Sequence, residues 1–68
     1  MDMRKLVGRN VRAVRQAKGM TQEQLAEKSG FAQQYISDLE RGERNPTIVS
    51  LYELAEALGS TPVELLQP

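Results

Sequence analysis

The apolar positions of this chain recur at intervals of three and four, the spacing that puts side chains on one face of an α-helix. Leu6 or Val7, followed by Val11 and Val14, marks a first helix over about Met3 to Ala17. Lys18 suits the negative end of that helix and Gly19 its left-handed cap. Thr21, with Gln24 three residues on, forms the capping-box pattern that starts a second helix. Leu25 and Ala26 are its inward residues, and Ser29-Gly30 stops it. A third helix begins near Ala32 and buries Ile36, Leu39 and the inner edge of Glu40, and Gly42 closes it. Thr47 caps a fourth helix whose Ile48, Leu51, Leu54, Ala55 and Leu58 line one side, and Gly59 ends it. The fifth has Thr61 as cap, Pro62 at its first position and Glu64 closing a capping box. No stretch alternates in the manner of a strand. The expected fold is all-α, five short helices in a single domain over residues 1–68.

Composition narrows the chemistry. Sixty-eight residues suffice for one small domain, and chains of this size bury only about 60% of their unfolded surface. Cysteine and histidine are both absent. Disulfides, thiolate metal sites and the commonest general base are therefore excluded, and neither a metal nor a cofactor is expected. No apolar run approaches the roughly 20 residues of a membrane span, and the charged N-terminus lacks a signal-peptide core. These features indicate a soluble, cytoplasmic protein. Carboxylates are plentiful, but none is placed beside a second catalytic group, so an enzyme is not expected.

Net charge is zero, yet it is unevenly distributed. Residues 1–20 carry six basic residues against Asp2, a net +5, while the remainder carries three against eight acids, a net −5. That asymmetry can place a basic face on a neutral molecule. A solvated basic helix without a partner would look the same in sequence.

The segment "QEQLAEKSGFAQQYISDLER" (residues 22–41) is the most informative. Ala26 is small where two helices must cross closely. Gly30, four residues later, supplies the positive φ of a tight turn. Phe31, Ile36 and Leu39 are apolar pins behind the third helix. Together these meet the steric demands of a helix-turn-helix.

With those motifs in view, the chain resembles the phage repressor/Cro-like (XRE) helix-turn-helix family of DNA-binding proteins. The resemblance covers nearly the whole length and rests on "MTQEQLAEKSG", "YISDLERGERNP" and "LYELAEALG". It implies a five-helix domain whose third helix enters the DNA major groove, usually from each half of a homodimer.

At about 100° per residue, the third helix turns Gln33, Gln34, Ser37, Asp38 and Arg41 away from Ile36 and Leu39. Glutamine bonds adenine bidentately, and the N-terminal end of a recognition helix is where bases are met first. Gln33, Gln34 and Ser37 are the expected readers; Asp38 either selects cytosine or rejects wrong sequences. An exposed polar face without a ligand is the bland alternative. Gln22 matches the family's phosphate-binding glutamine, against a capping or solvent role. Arg41, Arg44 and Asn45 are placed to hold the sugar-phosphate chain. Tyr35 either touches a phosphate or packs on the fourth helix. The family likewise implies an ion pair between Arg15 and Glu40, tying the first helix to the third.

Two positions depart from the family pattern. Ala32 stands where Ser or Thr is frequent, forfeiting an N-cap but offering a methyl to a thymine methyl. Ser60 replaces an apolar residue before the fifth helix. Pro62, Val63 and Leu66 are candidates for a dimer interface, with Tyr52 a weaker one; alternatively Val63 and Leu66 complete the monomer core. The expected function is a transcriptional regulator reading a palindromic operator in double-stranded DNA, with no ligand-sensing domain or small-molecule ligand. A phage-like repressor, a restriction-modification controller and an autoregulating antitoxin all fit, and a protein-only interaction module is the reading from another class.

Overall fold

The structure, a computed structural model, describes residues 1–68. The chain forms α1 (Met3–Ala17), α2 (Gln22–Ser29), α3 (Gln33–Glu40), α4 (Ile48–Leu58) and α5 (Pro62–Leu66), with no strand. The all-α, five-helix expectation is borne out. No helix is long and apolar enough to cross a membrane.

Local chemistry sets most of the helix ends. Asp2 accepts from the Arg4 N–H at 3.0 Å to start α1. The Thr21–Gln24 box is reciprocal, the Gln24 N–H donating to Thr21 Oγ1 at 3.0 Å and the Thr21 N–H to Gln24 Oε1 at 2.9 Å. Thr47 and Thr61 accept from the N–H groups of Ser50 and Glu64. The box expected at α5 is only half made. Glu64 Oε1 lies 3.5 Å from the Thr61 hydroxyl instead of accepting the Thr61 N–H, so the threonine hydroxyl carries that cap alone.

Gly30 makes the turn between α2 and α3. Its φ of +81° is open to glycine at little cost, and its N–H closes on Ala26 O at 2.9 Å. The chain can then leave α2 sharply enough for α3 to cross it.

The core runs through all five helices: Val7 and Val11 of α1, Leu25 and Ala26 of α2, Ile36 and Leu39 of α3, Leu51, Leu54, Ala55 and Leu58 of α4, and Leu65 of α5. Phe31 is half-buried against it and stacks on Tyr35 with ring centroids 4.9 Å apart. Ile48 departs from expectation. Its angular position matches the edge of the inner side of α4, but at the helix's first residue it lies at the mouth of a surface hollow and is 87% exposed.

Two devices in α1 position the other helices. At Gly8 a Cβ would lie 2.2 Å from the Leu39 carbonyl oxygen and 3.0 Å from that of Glu40. The backbones of α1 and α3 therefore meet where any side chain would force them apart. Asn10 donates from Nδ2 to the carbonyls of Leu65 at 3.0 Å and Gln67 at 2.7 Å, which ties the end of α5 to α1.

Arg15 and Glu40 form a two-pronged ion pair, with Nε–Oε2 at 2.6 Å and Nη2–Oε1 at 3.0 Å. Arg15 Nη1 also donates to Met20 O at 2.7 Å, and Gln22 Nε2 to Glu40 Oε1 at 3.1 Å. One carboxylate, its side chain only 3% exposed, thus joins α1, α2 and α3. Breaking such a pair from one side strands a buried charge. Arg15→Met and Glu40→Leu should each cost about 3–5 kcal/mol in denaturant unfolding. The double variant should cost clearly less than their sum, and strict additivity would show that the two groups are not coupled.

Ser60 carries a second energetic feature. Its N–H bonds to Ala55 O at 2.8 Å while Gly59 N–H bonds to Glu56 O at 3.0 Å, the two-bond Schellman closure of α4. An apolar side chain commonly packs at the position Ser60 holds. Its hydroxyl is instead buried without a hydrogen-bond partner. Ser60→Val should therefore stabilise the fold by about 1 kcal/mol. In a thermal melt that is a rise of roughly 4–8 °C, and an unchanged or lower Tm would contradict it.

Candidate nucleic-acid interface

With Ile36, Leu39 and Glu40 turned inward, α3 presents Gln33, Gln34, Ser37, Asp38 and Arg41 along its other side. Gln33 and Gln34 are exposed, Ser37 and Asp38 are half-buried, and Arg41 is exposed at the helix end. No side chain caps α3, because Ala32 occupies the N-cap with a β-region backbone and a methyl group. The first amide N–H groups of α3 thus keep their donor capacity beside the two glutamines, at the positive end of the helix.

The two glutamines differ in surroundings. No hydrogen bond within the chain holds the Gln33 amide. Gln34 donates from Nε2 to Asp38 Oδ1 at 2.8 Å, one helical turn further on. Asp38 also accepts from Arg41 Nη2, and its other oxygen lies 3.5 Å from Arg44 Nη2. Arg41 donates from Nη1 to Ser37 Oγ at 2.7 Å and from Nη2 to Glu43 Oε1 at 3.2 Å. The polar face is therefore a connected cluster rather than a row of independent side chains. Donation from Gln34, with the charges of Arg41 and Arg44, holds the Asp38 carboxyl below its ordinary pKa. Hydrogen bonding to Glu43, then the charge of Asp38, raises that of the Arg41 guanidinium. Both groups are charged at neutral pH.

Flanking positions are arranged as follows. Gln22, at the start of α2, directs its amide to Glu40, which leaves its second N–H and its carbonyl oxygen uncommitted. Tyr35 is half-buried, stacked on Phe31, with the Arg44 guanidinium 5.3 Å above its ring. Arg44 is thus held between an aromatic face and a carboxylate, at the edge of the α3 surface. Asn45 is exposed in the following loop.

The basic first helix is partly consumed by the fold. Arg15 is buried against Glu40, and Arg4 lies 3.5 Å from Asp2. Lys5, Arg9, Arg12 and Lys18 remain exposed without an acidic partner. Lys5 packs beside Gly42, where a Cβ would meet its Cγ at 2.7 Å, and so adjoins the end of α3, whereas Lys18 reaches the Gly59 carbonyl at the end of α4.

An apolar surface lies elsewhere. Val63 is 65% and Leu66 41% exposed, whereas Leu65 is the α5 residue that enters the core. The reading in which Val63 and Leu66 complete the monomer core is therefore corrected: at one turn's length, α5 can turn only one leucine inward. Pro62 is half-buried. Ile48, Val49 and Tyr52 of α4 are also exposed, and Ile48 shares a surface hollow with Leu66 and Met3. Sequence periodicity missed Ile48 and Val49 as surface residues; two adjacent apolar residues at a helix start were the available signal.

Known proteins share this arrangement. The helix-turn-helix family model HTH_3 matches residues 11–65. Over 68 residues the chain is 62% identical to the uncharacterized HTH-type transcriptional regulator y4dJ of Sinorhizobium fredii, spanning all of this chain and 88% of that one. It is 44% identical over 66 residues to control protein C.SmaI of Serratia marcescens, covering 97% and 79% of the two chains. The restriction-modification controller protein C.AhdI from Aeromonas hydrophila superposes with a TM-score of 0.87 at 42% identity, covering 91% of this chain and 94% of that one. With the family model matched over most of its length and that level of identity to an HTH-type regulator, this chain belongs to the phage repressor/Cro-like (XRE) helix-turn-helix family of DNA-binding transcriptional regulators.

Proposed function

We propose that the protein recognises a specific operator by laying α3 in the DNA major groove. The observation that carries this reading is the outer face of α3: two exposed glutamines and uncapped amides on a helix held from behind by Ile36, Leu39 and Glu40. Gln33 and Gln34 read base edges, with adenine the natural partner of a glutamine amide. Ser37 lies next along the same face. Gln22, Arg41, Arg44 and Asn45 hold the flanking phosphates and fix register without carrying sequence information.

One copy offers too few base contacts to single out a site in a genome. Two copies related by a twofold axis would read half-sites about 34 Å apart. The exposed apolar residues Ile48, Val49, Tyr52, Val63 and Leu66 are our proposed self-association surface, with Pro62 at its border. Likeness to control proteins over 79% and 94% of their lengths favours a regulator of a restriction-modification operon within this class; the genes beside its own would decide that point.

Duplexes selected from a random library by the purified protein should share a roughly palindromic sequence. In gel shifts on that sequence, Gln33→Ala/Gln34→Ala should lose binding at least tenfold, because each good bidentate contact carries roughly 1–3 kcal/mol of discrimination. Enrichment of no sequence at all would refute the reading, as a protein-only interaction module would give. Sedimentation should show a dimer, and Val63→Asp/Leu66→Asp should shift it to monomer. A monomer at high micromolar concentration, with and without DNA, would remove the dimer.

A further inference from the structure

Asp38 faces the side proposed to meet DNA, yet its side chain is only 17% exposed because three neighbours converge on it. Gln34 Nε2, Arg41 Nη2 and Arg44 Nη2 all address its two oxygens. We infer that Asp38 is a positioning residue that sets sequence discrimination without reading a base itself: it fixes the Gln34 amide in the orientation that suits adenine, and it restrains Arg41 and Arg44 from phosphates of unrelated DNA. The inference rests on the DNA-reading role proposed above for this face of α3.

The first half follows from hydrogen-bond chemistry. A glutamine amide can rotate end over end, exchanging its acceptor oxygen for its two donors. An ionised carboxylate only accepts. Facing Asp38, Gln34 must therefore present Nε2 to it, as observed at 2.8 Å. One N–H is committed there, and Oε1 with the second N–H remains as an outward edge. Adenine offers a donor at N6 and an acceptor at N7, the complement of that edge. The donors held on Asp38 and the depressed pKa they cause keep it an acceptor at neutral pH.

The second half concerns charge. Arg41 already satisfies Asp38, Ser37 and Glu43, and Arg44 lies between Asp38 and the ring of Tyr35. Each guanidinium has donors to spare, but turning its charge toward a phosphate draws it away from the carboxylate, which then faces the polyanion less compensated. Any duplex meets that obstacle. Only a duplex that also engages the readers gains contacts to offset it.

The test compares parent, Asp38→Ala and the isosteric Asp38→Asn, each checked for folding by circular dichroism. Affinity is measured on the selected duplex, on single-base variants of it and on an unrelated duplex across a salt series. Asparagine can donate as well as accept, so Asp38→Asn permits both orientations of Gln34 while keeping a hydrogen bond. Preference for the native base at the position read by Gln34 should fall about tenfold in both variants. Binding to unrelated DNA should strengthen, with the log–log salt slope steeper by up to roughly 0.9 for each arginine released. In a Gln34→Ala background, Asp38→Asn should cause no further loss at that base. Folded variants with the parent's base preference and salt slope would overturn this inference alone. A parent that binds no duplex would overturn the proposed function with it.

Discussion

A carboxylate buried among three helices sets the position of everything outside it. Glu40 receives Arg15 from α1 and Gln22 from α2 while sitting on α3 itself. Removing charges from water is costly, and the cost is recovered only with good geometry and further hydrogen bonds. Here the guanidinium engages both carboxylate oxygens and a backbone carbonyl besides. The arrangement therefore favours one relative placement of α1, α2 and α3 over near alternatives, where greasy contacts alone would tolerate sliding. The α3 face proposed to meet base edges would need that kind of placement.

The outer face of α3 has its own organisation. Its polar groups satisfy one another before any ligand is present, through Gln34, Asp38, Arg41, Ser37 and Glu43. Gln33 alone stands outside that cluster. The face thus combines one free amide with a set of side chains whose release is linked, which is different from the independent readers a helical wheel suggests.

Much of this was legible in the sequence, for a physical reason. Helix starts and stops depend on residues three or four apart, so Thr21–Gln24, Gly30 and Thr47 announce themselves. The buried stripe of α3 follows from the spacing of Ile36 and Leu39. Features that depend on what lies across the molecule were hidden. Ile48 has the angle of a core-edge residue and still faces solvent, because periodicity reports a direction around one helix and not how closely its neighbours approach. The bonds from Asn10 to the carbonyls of Leu65 and Gln67 span 55 and 57 positions, a distance no local pattern reports. The role of Asp38 was left open between two ways of facing DNA, since side-chain rotamers, not composition, direct it to its own helix.

Gly8 has a consequence for how much change the outer side of α3 tolerates. The atoms it touches on α3 are the carbonyl oxygens of Leu39 and Glu40, which every amino acid possesses. A joint made of main chain against main chain takes no notice of what α3 displays on its far side. Residues displayed there can therefore be exchanged without disturbing the joint between α1 and α3.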